Sequence, residues 1–218
     1  MDREGRLVIV PQYEINSWPF REGTVPAKLN GQCGFIDRTG NFIALPECEE
    51  VDRFHQGLAK IKQDGKWGFI NSTGMYVAFP QFEDVDYFSE GLAKVKQGGK
   101  WGFIDQSGNI AVGFSYDNVG FFKEGLAPVE KNGKWGFIDK SGRVVISLDY
   151  ESAECFRDGL AQVKKEGFYG FVDHNGKIAV PLRFFRLSWF SEDLAVAATP
   201  EGLGYINKSG LMVIAPGF

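Results

Sequence analysis

A glycine recurs at Gly34, Gly68, Gly102, Gly136, Gly170 and Gly204, always 34 residues after the last. A fixed period of that size restricts a chain to repeat architectures, in which each unit buries its apolar face against its neighbours. The flanking positions keep the same register. The residue before the glycine is Cys33, Trp67, Trp101, Trp135, Tyr169 and Leu203, and Phe-Ile follows it in the first four units. Phe171-Val172 and Tyr205-Ile206 complete that column. A second aromatic column begins at Phe20 and runs through Phe54, Phe88, Phe122, Phe156 and Phe190.

Each unit reads as strands. "GLAKVKQGGKWGFID" places two alternating runs around Gly98-Gly99, a hairpin pattern. Asn30-Gly31, Asp64-Gly65, Asn132-Gly133 and Glu166-Gly167 stand at the same place. A second turn starts at Asp37, Asn71, Asp105, Asp139, Asp173 and Asn207 and closes three residues later on glycine. There the Asx side chain accepts a hydrogen bond from the amide two residues on, and the glycine takes a positive φ. No long stretch carries a helical period. The expected fold is all-β, an array of six antiparallel meander repeats of three to four strands. Their boundaries fall at about 11–45, 46–79, 80–113, 114–147, 148–181 and 182–218. "DREGRLVIVPQY" near the N-terminus matches the last strand of a unit, "DRTGNFIALPEC", so residues 1–10 are expected to form a capping strand. An open, curved array follows from that count, with a closed six-bladed ring as the alternative.

Within the unit, Trp135 and Phe137 alternate with Gly136 and Ile138 across the strand, and the aromatic side is expected to fill the core between adjacent layers. The glycine lets a neighbouring backbone or ring approach.

"GKWGFID" at 99–105, with Ser107-Gly108 after it and "EGLAPV" at 124–129 as the upstream element, resembles the WG (KWG) repeat of bacterial proteins. The resemblance covers nearly the whole chain and weakens at Cys33, Tyr169 and Leu203. It implies a β-rich interaction module without catalysis, and for some members a partner that is a toxin to be neutralised. It assigns no binding residue.

The chemistry-bearing residues agree with a non-enzyme. The two histidines, His55 and His174, fall at different repeat positions and read as solvated. No nucleophile elbow, zinc-binding helix motif or phosphate-binding glycine loop occurs. Cys33, Cys48 and Cys155 match neither a metal nor a disulfide spacing and are expected as reduced thiols. No cofactor or metal is implied. A net charge of −4 argues against nucleic acid. The absence of an apolar N-terminal stretch argues against a membrane and for the cytoplasm. Glu14, Glu49, Glu83, Asp117 and Glu151 recur as an acidic ridge, with Lys60, Lys62, Lys94, Lys96 and Lys164 expected to pair with it.

Binding is expected where the repeat varies. The residue before the core Phe column is Arg53, Tyr87, Phe121, Cys155 and Trp189, with Trp18 near the same place. If the Phe column points inward, Tyr87, Phe121 and Trp189 form an outward aromatic stripe. Phe185, which stands where other units have an acid, and Trp18 extend it. The partner expected from this reading is a protein, a toxin in its narrower form, with a carbohydrate or envelope surface as the competing class.

Overall fold

The computed structural model describes residues 12–15, 18–45 and 47–216. The capping strand expected at 1–10 lies outside them. The chain forms two compact units, one of residues up to 99 together with 103–110, the other of 100–102 together with residues from 111 onward. Among the described residues there is no helix, and the strands form six four-stranded antiparallel sheets, each in sequence order. The six-repeat, all-β reading is therefore correct.

The fourth repeat shows how sequence makes the unit. A two-residue strand, Asn118–Val119, leads into the hairpin strands Leu126–Lys131 and Lys134–Asp139, and the outer strand Val144–Tyr150 closes the sheet. Asn132 and Gly133 take φ of 54° and 73° at the hairpin tip. Two consecutive left-handed residues match the right-handed twist of the flanking strands. The Asx turn follows, with Asp139 Oδ1 accepting from the Ser141 and Arg143 amides at 3.0 and 3.1 Å. Outer strands run on to Phe82, Tyr116, Tyr150 and Phe184, a few residues beyond the sequence-drawn boundaries.

The glycine of each tryptophan–glycine pair faces a bulge. Trp135 pairs with Tyr150 but Phe137 with Ile146, so a two-residue step on one strand faces a four-residue step on the other. The slack brings the Ile146 carbonyl over Gly136, where a Cβ would lie 2.5 Å from its oxygen. The same approach occurs at Gly68, Gly102 and Gly170, from Ala78, Val112 and Val180. Close backbone approach is thus the reason for glycine here.

Both faces of the hairpin are covered. Phe137 and Ile138 point opposite ways, yet each is 0% exposed. Phe137 stacks edge-on with Phe156 of the following repeat at 5.0 Å. Phe35–Phe54, Phe69–Phe88 and Phe171–Phe190 repeat that contact at 4.5, 5.0 and 5.1 Å. The core is therefore built from the Phe after the glycine. Trp67, Trp101 and Trp135 are only half-buried, which corrects the expectation that tryptophan fills the layer. Lys60 and Lys62 lie over the Trp67 ring at 5.8 and 5.6 Å, so its outer side meets aliphatic stems and ammonium groups. At the last repeat the equivalent of Phe171 is Tyr205, 42% exposed, and the equivalent of Val180 is Ile214, 52% exposed. Phe20, the first of its column, is 39% exposed.

A third turn escaped the sequence pattern. Glu124 and Gly125, with φ of 52° and 84°, form a tight hairpin between Lys123 and Leu126. Glu22, Gln56, Glu90, Asp158 and Glu192 stand at equivalent left-handed positions. A glutamate there costs about 1 kcal/mol in backbone strain, so its side chain needs a use. Glu124 Oε2 accepts the Gly159 amide of the next repeat at 3.0 Å, and Glu22 accepts both Gln56 and Gly57 amides at 2.8 and 2.9 Å. Glu124→Ala should lower the free energy of unfolding by about 1 kcal/mol, measured in urea, because the half-exposed Gly159 amide loses a charged acceptor. Unchanged stability would show that this inter-repeat bond carries nothing.

Candidate functional site

The acidic column is structural before it is a ridge. Glu49, Glu83 and Glu151 each reach back to the hairpin tip of their own repeat, accepting the Gly65, Gly99 and Gly167 amides at 3.2, 3.1 and 3.2 Å. Asp117 accepts the Asn132 amide at 2.7 Å. Lysine pairing also differs from the expectation. Lys60 and Lys94 meet Asp52 and Asp86 at 3.0 and 3.3 Å, and Lys164 meets the column at Glu151, 3.7 Å away.

Two members of the aromatic column before the core Phe, Tyr87 and Trp189, turn toward the preceding repeat. The Tyr87 hydroxyl donates to Asp52 Oδ2 at 2.5 Å, its ring lies 5.4 Å from His55, and Lys60 Nζ sits 4.2 Å above it. Burial opposes ionisation of Asp52, but the hydrogen bonds from Tyr87 and Lys60 outweigh it and hold the carboxyl below its usual range. Burial first, and Asp52 second, push the Tyr87 phenol up. Trp189 Nε1–H donates to Glu154 Oε2 at 3.1 Å, and the ring packs edge-on against Phe171 at 5.4 Å. Phe121 is half-buried, and its carbonyl accepts the Cys155 thiol at 3.4 Å. Tyr87 and Trp189 are thus half-buried inter-repeat contacts, because the face opposite the Phe column meets a neighbouring sheet there. Trp18 is 38% exposed and carries the Arg53 guanidinium 5.2 Å over its ring. Phe185, at 50% exposure, is the most open of the five, with Phe168 5.5 Å away.

The histidines are also occupied structurally. His174 Nε2 lies 3.2 Å from Glu124 Oε2 and its ring stacks on Phe156 at 4.3 Å. His55 is half-buried against Tyr87, where the sequence suggested exposure. Among the described residues, no group of three or more His, Cys, Asp or Glu is placed to hold a metal ion.

Phe185 has a setting that the repeat pattern only half revealed. Because it replaces the acid, it caps no hairpin and lies in a groove between the fifth and sixth repeats. Tyr169, Leu187, Val196 and Leu203 line that groove with it, and Glu154, Lys164 and Arg186 form its polar part. Leu203 is 63% exposed. Gln162, the buried polar residue at its base, is satisfied by donating to the Leu187 carbonyl at 2.8 Å. A groove at the equivalent place joins the first two repeats, lined by Glu14, Ile15, Lys28, Cys33, Glu49 and Val51 among others. At both places the tryptophan position holds another residue: Cys33 in one, Tyr169 and Leu203 in the other. Both grooves thus lie where the repeat departs from tryptophan.

A family model described as WG containing repeat matches residues 34–67, 67–101, 101–135, 135–167 and 169–198. No curated protein matches the chain. Among solved structures, the crystal structure of a eukaryotic initiation factor shares 13% identity over 95% of this chain and 68% of its own, with a TM-score of 0.51. Hsv2 of Kluyveromyces lactis shares 11% over 90% of this chain and 72% of that one, at 0.47. PorZ, a surface component of the type-IX secretion system of Porphyromonas gingivalis, shares 11% over 89% and 31%, at 0.40. At such identities the likeness is one of fold.

Proposed function

The chain belongs to the family of WG containing repeats, and from that premise we propose that it is a non-enzymatic scaffold that binds a protein partner through the groove between its fifth and sixth repeats. The observation carrying this reading is the pair Phe185 and Leu203, 50% and 63% exposed, beside Tyr169 and within reach of Glu154, Lys164 and Arg186. Apolar anchors in a concave setting with a charged rim are what a protein interface concentrates its energy on. Trp189, bonded to Glu154, supports the groove wall rather than forming its open surface. In the narrower form of the proposal the partner is a bacterial toxin that the scaffold occludes in the cytoplasm. The net charge of −4 would steer a basic partner inward.

A protein ligand is favoured over a carbohydrate because the Trp67 and Trp18 rings, the stacking platforms a sugar would need, already carry cations over them: Lys60 and Lys62 at Trp67 and Arg53 at Trp18. Phe185→Glu should weaken a captured partner by about 2 kcal/mol, roughly 30-fold, with the far-ultraviolet spectrum unchanged. The comparison is made by titrating the partner recovered from the native host against wild type and variant. Equal affinity of both would remove the groove from the interface, and glycan binding without any protein partner would overturn the scaffold reading.

A further inference from the structure

The first repeat differs from the others in two positions at once. Trp67 lies across from Phe82, Trp135 from Tyr150, and Tyr169 from Phe184, each an aromatic cross-strand pair. One period upstream of Trp67 and Phe82 stand Cys33 and Cys48. Both members of the pair have become cysteine together, although here the outer strand ends at Ala44 and the Cys33 carbonyl accepts the Leu45 amide at 2.9 Å, so Cys48 lies just beyond the strand. The side chains are also close. Cys33 Sγ donates to the Cys48 carbonyl at 3.1 Å. Both belong to one apolar cluster with Phe35, Leu45 and Phe54. Cys33 is buried but borders the groove between the first two repeats, and Cys48 is half-buried, so a small oxidant has a route to the pair.

We propose that Cys33 and Cys48 are a modification site that closes into an intrachain disulfide when the protein meets a peroxide. The more accessible Cys48 sulfur, as thiolate, attacks one peroxide oxygen. The O–O bond breaks, hydroxide leaves and takes up a proton as water, and Cys48 becomes a sulfenic acid. The Cys33 sulfur then attacks the Cys48 sulfur. The S–O bond breaks, and the departing hydroxide leaves as water with the Cys33 proton. Two thiols and one hydrogen peroxide thus give one disulfide and two waters, the sulfurs being oxidised and the peroxide reduced. Burial first, and the Cys33 thiol second, push the Cys48 thiol well above its usual range. Its thiolate is therefore scarce near neutrality, and the first step should accelerate about tenfold per pH unit there.

The test exposes the folded protein to hydrogen peroxide and counts thiols after denaturation. Of the three cysteines, one thiol should remain, Cys155, with a mass lower by two hydrogens and a linked peptide joining Cys33 to Cys48. Cys155 is an internal control, since its thiol meets the Phe121 carbonyl. The thermal midpoint of the oxidised protein should rise by several degrees, because the bond closes a short loop in the unfolded chain. Cys33→Ser and Cys48→Ser should each abolish both the linked peptide and the midpoint rise. Three surviving thiols, a link through Cys155, or a lower midpoint on oxidation would each overturn the proposal.

Discussion

Phe137→Ala should destabilise the protein by about 3–5 kcal/mol in urea denaturation, more than the neighbouring Trp135→Ala. The ranking reverses what the motif suggests, since tryptophan is the larger residue and gives the repeat its character. Phe137 is 0% exposed, stacks on Phe156 at 5.0 Å, and shares a cluster with Leu126, Ile146 and Tyr150. Its removal leaves a cavity in the contact between two repeats, and that contact cannot collapse without moving both sheets. Trp135 packs against the same cluster from a half-exposed position, so water can enter where it is cut away. A typical domain has only about 5–15 kcal/mol in total, so Phe137→Ala should approach the limit of folding. A larger loss for Trp135→Ala than for Phe137→Ala would show that tryptophan, not phenylalanine, carries the layer.

Gly136→Ala should be comparably severe, about 3 kcal/mol, although it adds only one methyl group. That methyl would lie 2.5 Å from the Ile146 oxygen and 2.7 Å from two backbone atoms of Ser147. None of these is the end of a flexible side chain, so the bulge itself must open. Gly133→Ala supplies the contrast. Its φ is 73°, but nothing lies within 4 Å of the added carbon, so only the backbone strain of about 1 kcal/mol applies. The two variants, compared by chemical denaturation, separate close approach from turn conformation. Equal effects would mean that the bulge adapts.

The repeat, its turns and its sheet count were legible because each depends on local chemistry: Asn132-Gly133 at a tip, Asp139 with Gly142 at an Asx turn. The direction of individual side chains was not. Alternation along a strand separates inside from outside only when one face meets water. Here Phe137 and Ile138 face opposite ways and are both fully buried, so the residue beside the Phe column points into another sheet. That is why Tyr87 and Trp189 bond to Asp52 and Glu154, carboxylates of the preceding repeat. Phe185 stayed open for a reason the sequence did contain, the loss of the acid that elsewhere caps the hairpin. The glutamate of the third turn was missed because its partner, such as the Gly159 amide for Glu124, lies one period away. The Cys33 and Cys48 pair needed the cross-strand register before its coordinated replacement became visible.

The exposed Tyr205 and Ile214 of the last repeat, and the exposed Phe20 of the first, are the same positions that neighbours cover elsewhere. Each unit offers on one side what it accepts on the other. A gene encoding such units can be lengthened or shortened by copying or deleting one period, and the new junction is already complementary to the old. The number of repeats is then a quantity that duplication can adjust without inventing a contact, while novelty enters by loosening the junction of two units, as at Tyr169 and Leu203.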